Sequence, residues 1–287
     1  VTLRGYRGEV TEGTPLVLLH SINAVPSAME MRPLFEYYRD KRAVWVPDLP
    51  GFGLSDRPAV HYTSGLYARW LTEWLDSLGA PADVVALSLT GEFMARAILE
   101  QGAKVRSLSL ISPTGMGVRA PPSAPNGSRI DRFLSSRWVG RPLFWLLTSK
   151  LSIRWFLGKA FVGATPEHML RYALETANQP GAHYVPLKFL TFSLFTEQAI
   201  TRLYSRLKLP CLVLYDQDPN IGFERMSELT DVHSNWVAKQ LVPSLGLPHW
   251  ELPAETIEAL EDFWAPPERG ALGSGDIAEY GARRESA

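Results

Sequence analysis

The stretch Asp83-Val84-Val85-Ala86-Leu87-Ser88-Leu89-Thr90-Gly91-Glu92-Phe93-Met94-Ala95-Arg96-Ala97-Ile98-Leu99 takes the chain from strand to helix through a single serine. The apolar run 84–87 suits a strand buried on both faces, while Phe93, Met94, Ala97 and Ile98 recur at helical spacing and Gly102 offers a stop. A serine at so tight a reversal is held in a strained backbone conformation at the tip of the strand, and small residues two places to either side let strand and helix approach. Ala86 and Thr90 occupy those two places. Ala86 fits; Thr90 is β-branched and larger than the usual glycine. In isolation the stretch also reads as an ordinary strand-to-helix turn, so the rest of the chain has to decide.

With 287 residues, 46% apolar and 21% charged, the chain can bury a large core in one or two domains. The formal net charge of −1 and the absence of a long basic block leave no electrostatic footprint for nucleic acid or an anionic membrane, so neither is an expected partner. A small molecule is the expected partner. A lone cysteine, Cys211, excludes an internal disulfide, and its place at the start of an apolar strand suggests a buried, inert thiol and a reducing compartment. No charged-then-apolar segment opens the sequence, and the most membrane-like region, 144–161, is interrupted by Lys150 and Arg154, so a cytoplasmic protein is expected.

Strand-like runs fall at 16–19, 43–46, 84–87, 108–111, 212–215 and 236–242, and helical patterns at 27–39, 64–78, after Ser88 and at 254–264. Such alternation predicts a mostly parallel sheet with helices on both faces. The alternation breaks after Ile111. A Gly/Pro/Ser-rich stretch, 113–128, leads into about 75 residues of helix-like sequence before Leu209-Pro210-Cys211 restores a strand. The reading is a core of residues 1–116 and 207–265, an inserted helical cap at 117–206, and a polar, non-periodic tail at 266–287. The cap is dense in large apolar residues, among them Trp138, Phe144, Trp145, Trp155, Phe156 and Phe161, expected to form its own core with a minority lining a pocket.

A serine hydroxyl becomes nucleophilic when a histidine takes its proton, and that histidine needs a carboxylate to fix its tautomer. The best acid lies just past a strand in Tyr215-Asp216-Gln217-Asp218-Pro219, at the sheet edge where Ser88 would also emerge. Asp216 competes with Asp218, and the spacing before the proline favours Asp218. The best histidine is His249, in Gly246-Leu247-Pro248-His249-Trp250-Glu251-Leu252-Pro253, between the last strand and the last helix; His233 is the fallback but precedes that strand. The order Ser, Asp, His is the one this elbow type uses.

Five segments together resemble the α/β-hydrolase superfamily over roughly residues 15–265. They are Leu18-Leu19-His20-Ser21-Ile22-Asn23, Asp48-Leu49-Pro50-Gly51-Phe52-Gly53-Leu54-Ser55-Asp56, the Ser88 elbow, the Asp218 loop and the His249 loop. The resemblance implies an α/β-hydrolase fold with Ser88 as nucleophile, Asp218 as triad acid, His249 as general base, and backbone N–H groups of Ile22 and Leu89 as oxyanion hole. A donor aimed at the tetrahedral oxyanion is worth roughly 3 to 4 kcal/mol of barrier. Ser21 and Asn23 are candidate donors to substrate, and His20 shapes the oxyanion loop. Three departures stand out: Ser21 where glycine is usual, Thr90 in the elbow, and Pro248-His249 in place of Gly-His. Anchoring the last loop without a gap on Glu251-x-Pro253 puts the superfamily's histidine position at Gly246, so assigning His249 presumes a shorter loop.

No His-x-x-x-His or Cys-x-x-Cys spacing suggests a metal site, and neither a complete dinucleotide fingerprint nor a phosphate-binding loop implies a cofactor. A serine nucleophile argues against dehalogenase and epoxide-hydrolase chemistry, which the superfamily runs from an aspartate. The expected activity is hydrolysis of a small or medium apolar ester, lactone or thioester through an acyl-enzyme on Ser88. The alternatives are C–C bond hydrolysis, lyase or cyclase chemistry on the same fold, or a non-catalytic ligand-binding protein.

Overall fold

The computed structural model describes residues 2–118, 129, 133, 136 and 138–265. Its centre is a seven-stranded sheet in the order β1-β3-β2-β4-β5-β6-β7. The strands are β1 Gly5–Arg7, β2 Leu16–Leu19, β3 Val44–Pro47, β4 Ala82–Leu87, β5 Val105–Ile111, β6 Cys211–Tyr215 and β7 Trp236–Gln240. All pairings are parallel except that of β1 with β3. The expected mostly parallel sheet is therefore present, with one short antiparallel edge strand that no apolar run marks.

Alternate residues of the central strands feed two cores. Val17, Leu19, Val84, Ala86, Leu108, Leu110 and Val213 pack on one face with Tyr67 and Leu71 of α2 (Ser64–Asp76) and Phe93 and Met94 of α3 (Thr90–Gln101). Leu16, Leu18, Val85, Leu87, Leu212 and Leu214 pack on the other with Leu34 and Tyr38 of α1 (Arg32–Tyr38) and Ala259 and Leu260 near the C-terminal end of the described chain. Burial on both faces is why β2 and β4 read as continuous apolar runs rather than alternating ones. Cys211 is fully buried in this sheet and its thiol is pushed up to about 12 by desolvation, so it stays a thiol.

Between β5 and β6 the described residues form helices only: α4 Gly140–Leu147, α5 Lys150–Gly158, α6 Glu167–Ala177, α7 Tyr184–Leu190 and α8 Ala199–Arg202. After β6 come α9 Ser227–Thr230, α10 Pro248–Glu251 and α11 Pro253–Trp264. Phe144 is buried in a small cluster of insertion residues, as expected, whereas Phe161 is buried against the central sheet's own core. Trp138, Trp145, Trp155 and Phe156 are not buried; they face outward. The expected tail, 266–287, lies outside the described residues.

The loop leading into the insertion and the segment before α8 are both fastened to α3. Thr114 Oγ1, three residues after β5, donates to Glu92 Oε1, and the Thr196 amide donates to Glu92 Oε2 at 2.7 Å. Glu92 is buried, and desolvation pushes its carboxyl up to about 7 against the hydrogen bonds from Thr114 and Thr196.

Candidate active site

Ser88 follows the last residue of β4 and holds φ at +56°, the left-handed region that non-glycine residues rarely adopt. Its amide donates to the Ile111 carbonyl at 2.8 Å, extending the β4–β5 ladder by one residue, and its carbonyl accepts from the Gly91 amide at 3.1 Å as α3 begins. The reversal brings helix and sheet so close that a Cβ on Gly91 would lie 2.8 Å from Leu110 Cδ2. Strand, serine and helix thus follow the sequence expectation, and Ser88 is partly exposed at the carboxyl edge of the sheet. It makes no side-chain hydrogen bond to any described residue.

Thr90 is accommodated because its hydroxyl has a specific acceptor: Oγ1 donates to the His20 carbonyl at 2.6 Å. The elbow is thereby tied to the loop that carries Ile22. His20 is buried and locked, with Nε2 accepting from the Leu49 amide at 2.9 Å and Nδ1 therefore protonated and donating to the Ser21 carbonyl at 2.7 Å. The amides of Ile22 and Leu89 donate to no described residue, as amides kept for an external oxyanion would have to.

Ser21 and Asn23, expected as donors toward substrate, face inward instead. The Ser21 amide and hydroxyl both donate to the Glu30 carboxyl, at 2.8 and 3.1 Å, and Asn23 Nδ2 donates to Ser21 Oγ and Glu30 Oε1. With both Nδ2 hydrogens and the Ser21 proton engaged, neither side chain retains a donor for a ligand. Burial raises the Glu30 carboxyl above its usual range, against the lowering influence of His20 and of these donors. Sequence reasoning missed Glu30 because it reads as one more position in a helical stretch. Asp48 performs the analogous task for the Gly-rich turn: it accepts from the Ala28 and Leu54 amides, and a Cβ on Gly53 would lie within 1.9 Å of its Cγ.

Of the two acids on the β6 loop, Asp216 is committed to structure. It accepts from Gln240 Nε2 at 2.9 Å and the Ser244 amide at 2.8 Å, bracing the loop after β7. Asp218 Oδ1 accepts from the Asn220 and Ile221 amides at 2.7 and 2.9 Å, while Oδ2 faces the loop at Gly246. Desolvation raises its carboxyl, partly offset by those two amides.

The structure does not bring His249 to either Asp218 or Ser88. The ring is fully buried on α10, and Nε2 donates to the Glu30 carbonyl at 2.7 Å, where Trp250 Nε1 also donates at 2.6 Å. Nδ1 is buried with no hydrogen-bond partner among the described residues. Desolvation drives the imidazole down to about 4, so it is neutral and its one proton is held by Glu30. The reason is the loop register. Glu251 accepts from the Leu245, Val162 and Gly163 amides, which pins the loop as a gapless Glu251-x-Pro253 anchor requires. The residue opposite the acid is then Gly246: a Cβ placed there would lie 2.7 Å from Asp218 Oδ2. The register places a residue with no side chain at the position where the resemblance expects an imidazole.

The sequence profile of the alpha/beta hydrolase family matches residues 16–259. The chain belongs to that family. Solved structures of the same fold include Cfl2 from Burkholderia cenocepacia (20% identity, 92% of each chain covered, TM-score 0.71). A serine hydrolase involved in carbazole degradation, CarC, is 15% identical over 91% of this chain and 93% of its own, at a TM-score of 0.72. An esterase from Exiguobacterium antarcticum is 15% identical over 91% and 95%, at 0.69. No curated protein matches the sequence. Among the described residues no cluster of three or more metal-ligating side chains occurs, and no helix is long and apolar enough to cross a membrane.

Proposed function

We propose that this alpha/beta hydrolase family member is an acyl-transfer site built on Ser88, acting on a carboxylic ester, lactone or thioester whose leaving group departs readily. The observation that carries the reading is the left-handed Ser88 at +56°, a strained conformation retained where the Leu89 and Ile22 amides have no acceptor among the described residues. In the proposed step Ser88 Oγ adds to the acyl carbon, and the carbonyl oxygen becomes an oxyanion facing the Leu89 and Ile22 amides. The serine proton passes to water or to a basic group of the substrate, and the C–O or C–S bond to the leaving group breaks as the carbonyl re-forms. Water then hydrolyses the acyl-Ser88 ester. Because Gly246 offers Asp218 no imidazole, no described residue takes the serine proton and turnover is slow. Sites that keep binding and an oxyanion hole without the triad retain roughly 10³- to 10⁴-fold acceleration over water.

The inward-turned His249 also favours a second reading, in which the fold binds an acyl ligand without turning it over. One experiment separates the two. Incubation with a fluorophosphonate and, in parallel, with p-nitrophenyl acetate, followed by intact mass and peptide mapping, is expected to give one adduct per chain on Ser88. A Ser88→Ala variant should give none. Added imidazole should then speed nitrophenol release if the site lacks only its base. Absence of any Ser88 adduct in folded protein overturns the acyl-transfer reading in favour of binding.

A further inference from the structure

We propose that the outward face of the α4–α5 hairpin docks on an anionic phospholipid surface. Both helices already have an apolar face committed inward. Phe144 of α4 packs with Ala182 and Leu187, and Ile153 of α5 packs with Leu170, Ala173 and Ala177. Their opposite faces carry Trp145, Leu146, Leu151, Trp155 and Phe156, with Trp145 75% and Leu151 83% exposed. Leu146 and Leu151 flank the Thr148-Ser149 turn, so the two exposed stripes run into one another along the chain. Soluble proteins seldom leave so many large aromatic and leucine side chains clustered and uncovered unless something covers them in use.

The charge of the segment selects the occupant. From 132 to 166 the sequence holds six of the chain's 29 Lys and Arg and none of its 30 Asp and Glu, although the whole chain is almost neutral. Arg141, Lys150, Arg154 and Lys159 are all exposed here. Arg154 shares Glu167 at 3.3 Å, and Lys159 lies 3.6 Å over the Trp155 ring, while Arg141 and Lys150 have no ion pair among the described residues. Short helices presenting tryptophan, leucine and cations on one face suit the headgroup boundary of an anionic bilayer. There the rings sit among glycerol and upper acyl chains while the cations meet phosphates. Eight- and nine-residue helices are far too short to span a bilayer, so the hairpin lies flat. A second copy of the chain fits less well, because two such faces would bring like charges together.

The test is flotation of the full chain with vesicles of equal phosphatidylglycerol and phosphatidylcholine, against vesicles of phosphatidylcholine alone. Binding to the anionic vesicles with a blue shift of tryptophan emission is expected, weakening steeply with salt. Charge reversal in an Arg141→Glu/Lys150→Glu variant should lower binding at least roughly tenfold, and a Trp145→Ser/Leu151→Ser variant should remove the blue shift. Both should keep wild-type circular dichroism and Ser88 labelling. No binding by wild-type protein, or equal binding to both vesicle types, overturns the proposal. So does concentration-dependent dimerisation that the Trp145→Ser/Leu151→Ser variant abolishes, which would make a second copy the occupant.

Discussion

His249 and Gly246 stand three residues apart in one loop, yet they carry opposite meanings for Ser88. A histidine after the last strand reads as a general base from its residue type and chain order, and both signals are real properties of the sequence. What redirects it is Glu30, whose carbonyl takes the Nε2 proton and whose carboxyl gathers the Ser21 and Asn23 donors. No spacing rule links Glu30 to residue 249 across 219 positions, so this contact was illegible. The gapless Glu251 anchor, by contrast, pointed to Gly246 from sequence alone. A His249→Asn variant tests the difference. Asn can still donate to the Glu30 carbonyl, and loss of ring packing should cost about 1 to 3 kcal/mol of stability. The rate of Ser88 labelling by a fluorophosphonate should stay unchanged. Loss of a working triad histidine would instead cut activity on the order of a millionfold, and a collapse of that kind would return His249 to the catalytic role.

At the scale of elements, the strands and the helices flanking them were legible because their burial is. Continuous apolar runs mark β2, β4 and β6, and periodic ones mark α2 and α3. Strand β1 was not, since Gly5-Tyr6-Arg7 is exposed throughout and exists as a strand only through its pairing with β3. In the insertion the helices were legible but their orientation was not: Gly-Arg-Pro-Leu-Phe-Trp-Leu-Leu of α4 is apolar on nearly every side, so which ring is buried depends on α7. The elbow is where an apparent departure from pattern proves to be a connection. Thr90 joins α3 to the loop bearing Ile22 through the His20 carbonyl. Thr90→Val keeps the shape, removes the donor and strands a buried carbonyl, which should cost about 1 to 3 kcal/mol. Ser88 labelling should slow as the Ile22 amide loses its fixed distance from the elbow, while secondary structure stays intact. Thermal unfolding and labelling kinetics check both effects; a destabilised variant that labels at the wild-type rate would show that the bond supports the fold and not the proposed oxyanion site.

Two buried groups on different sides of the molecule give the whole chain an unusual pH response. His249 titrates near 4 when folded and near its ordinary 6.5 when unfolded. Between those values the unfolded chain binds the extra proton, so this group makes stability rise with pH and is destabilising as pH falls. Glu92 has the reverse sense: with a folded value of about 7 against 4.5, the native state holds the proton, and stability falls as pH rises through that window. Each slope is about 1.4 kcal/mol per pH unit. From about pH 4.5 to 6.5 the two therefore oppose and nearly cancel. Denaturant unfolding of single variants across that range separates them. Relative to wild type, Glu92→Gln should gain stability progressively as pH rises, since the carboxyl whose ionisation is penalised is gone. Relative to wild type, His249→Asn should gain stability as pH falls, since the imidazole that resists protonation is gone. Gln keeps one carbonyl oxygen for the Thr196 amide and turns its Nε2 toward the Thr114 hydroxyl, which can accept in place of donating, so the pH-dependent difference keeps the predicted sign. Parallel curves for either variant and wild type would mean that the corresponding group ionises alike in the folded and unfolded chain, and that its burial leaves no mark on the stability of the molecule.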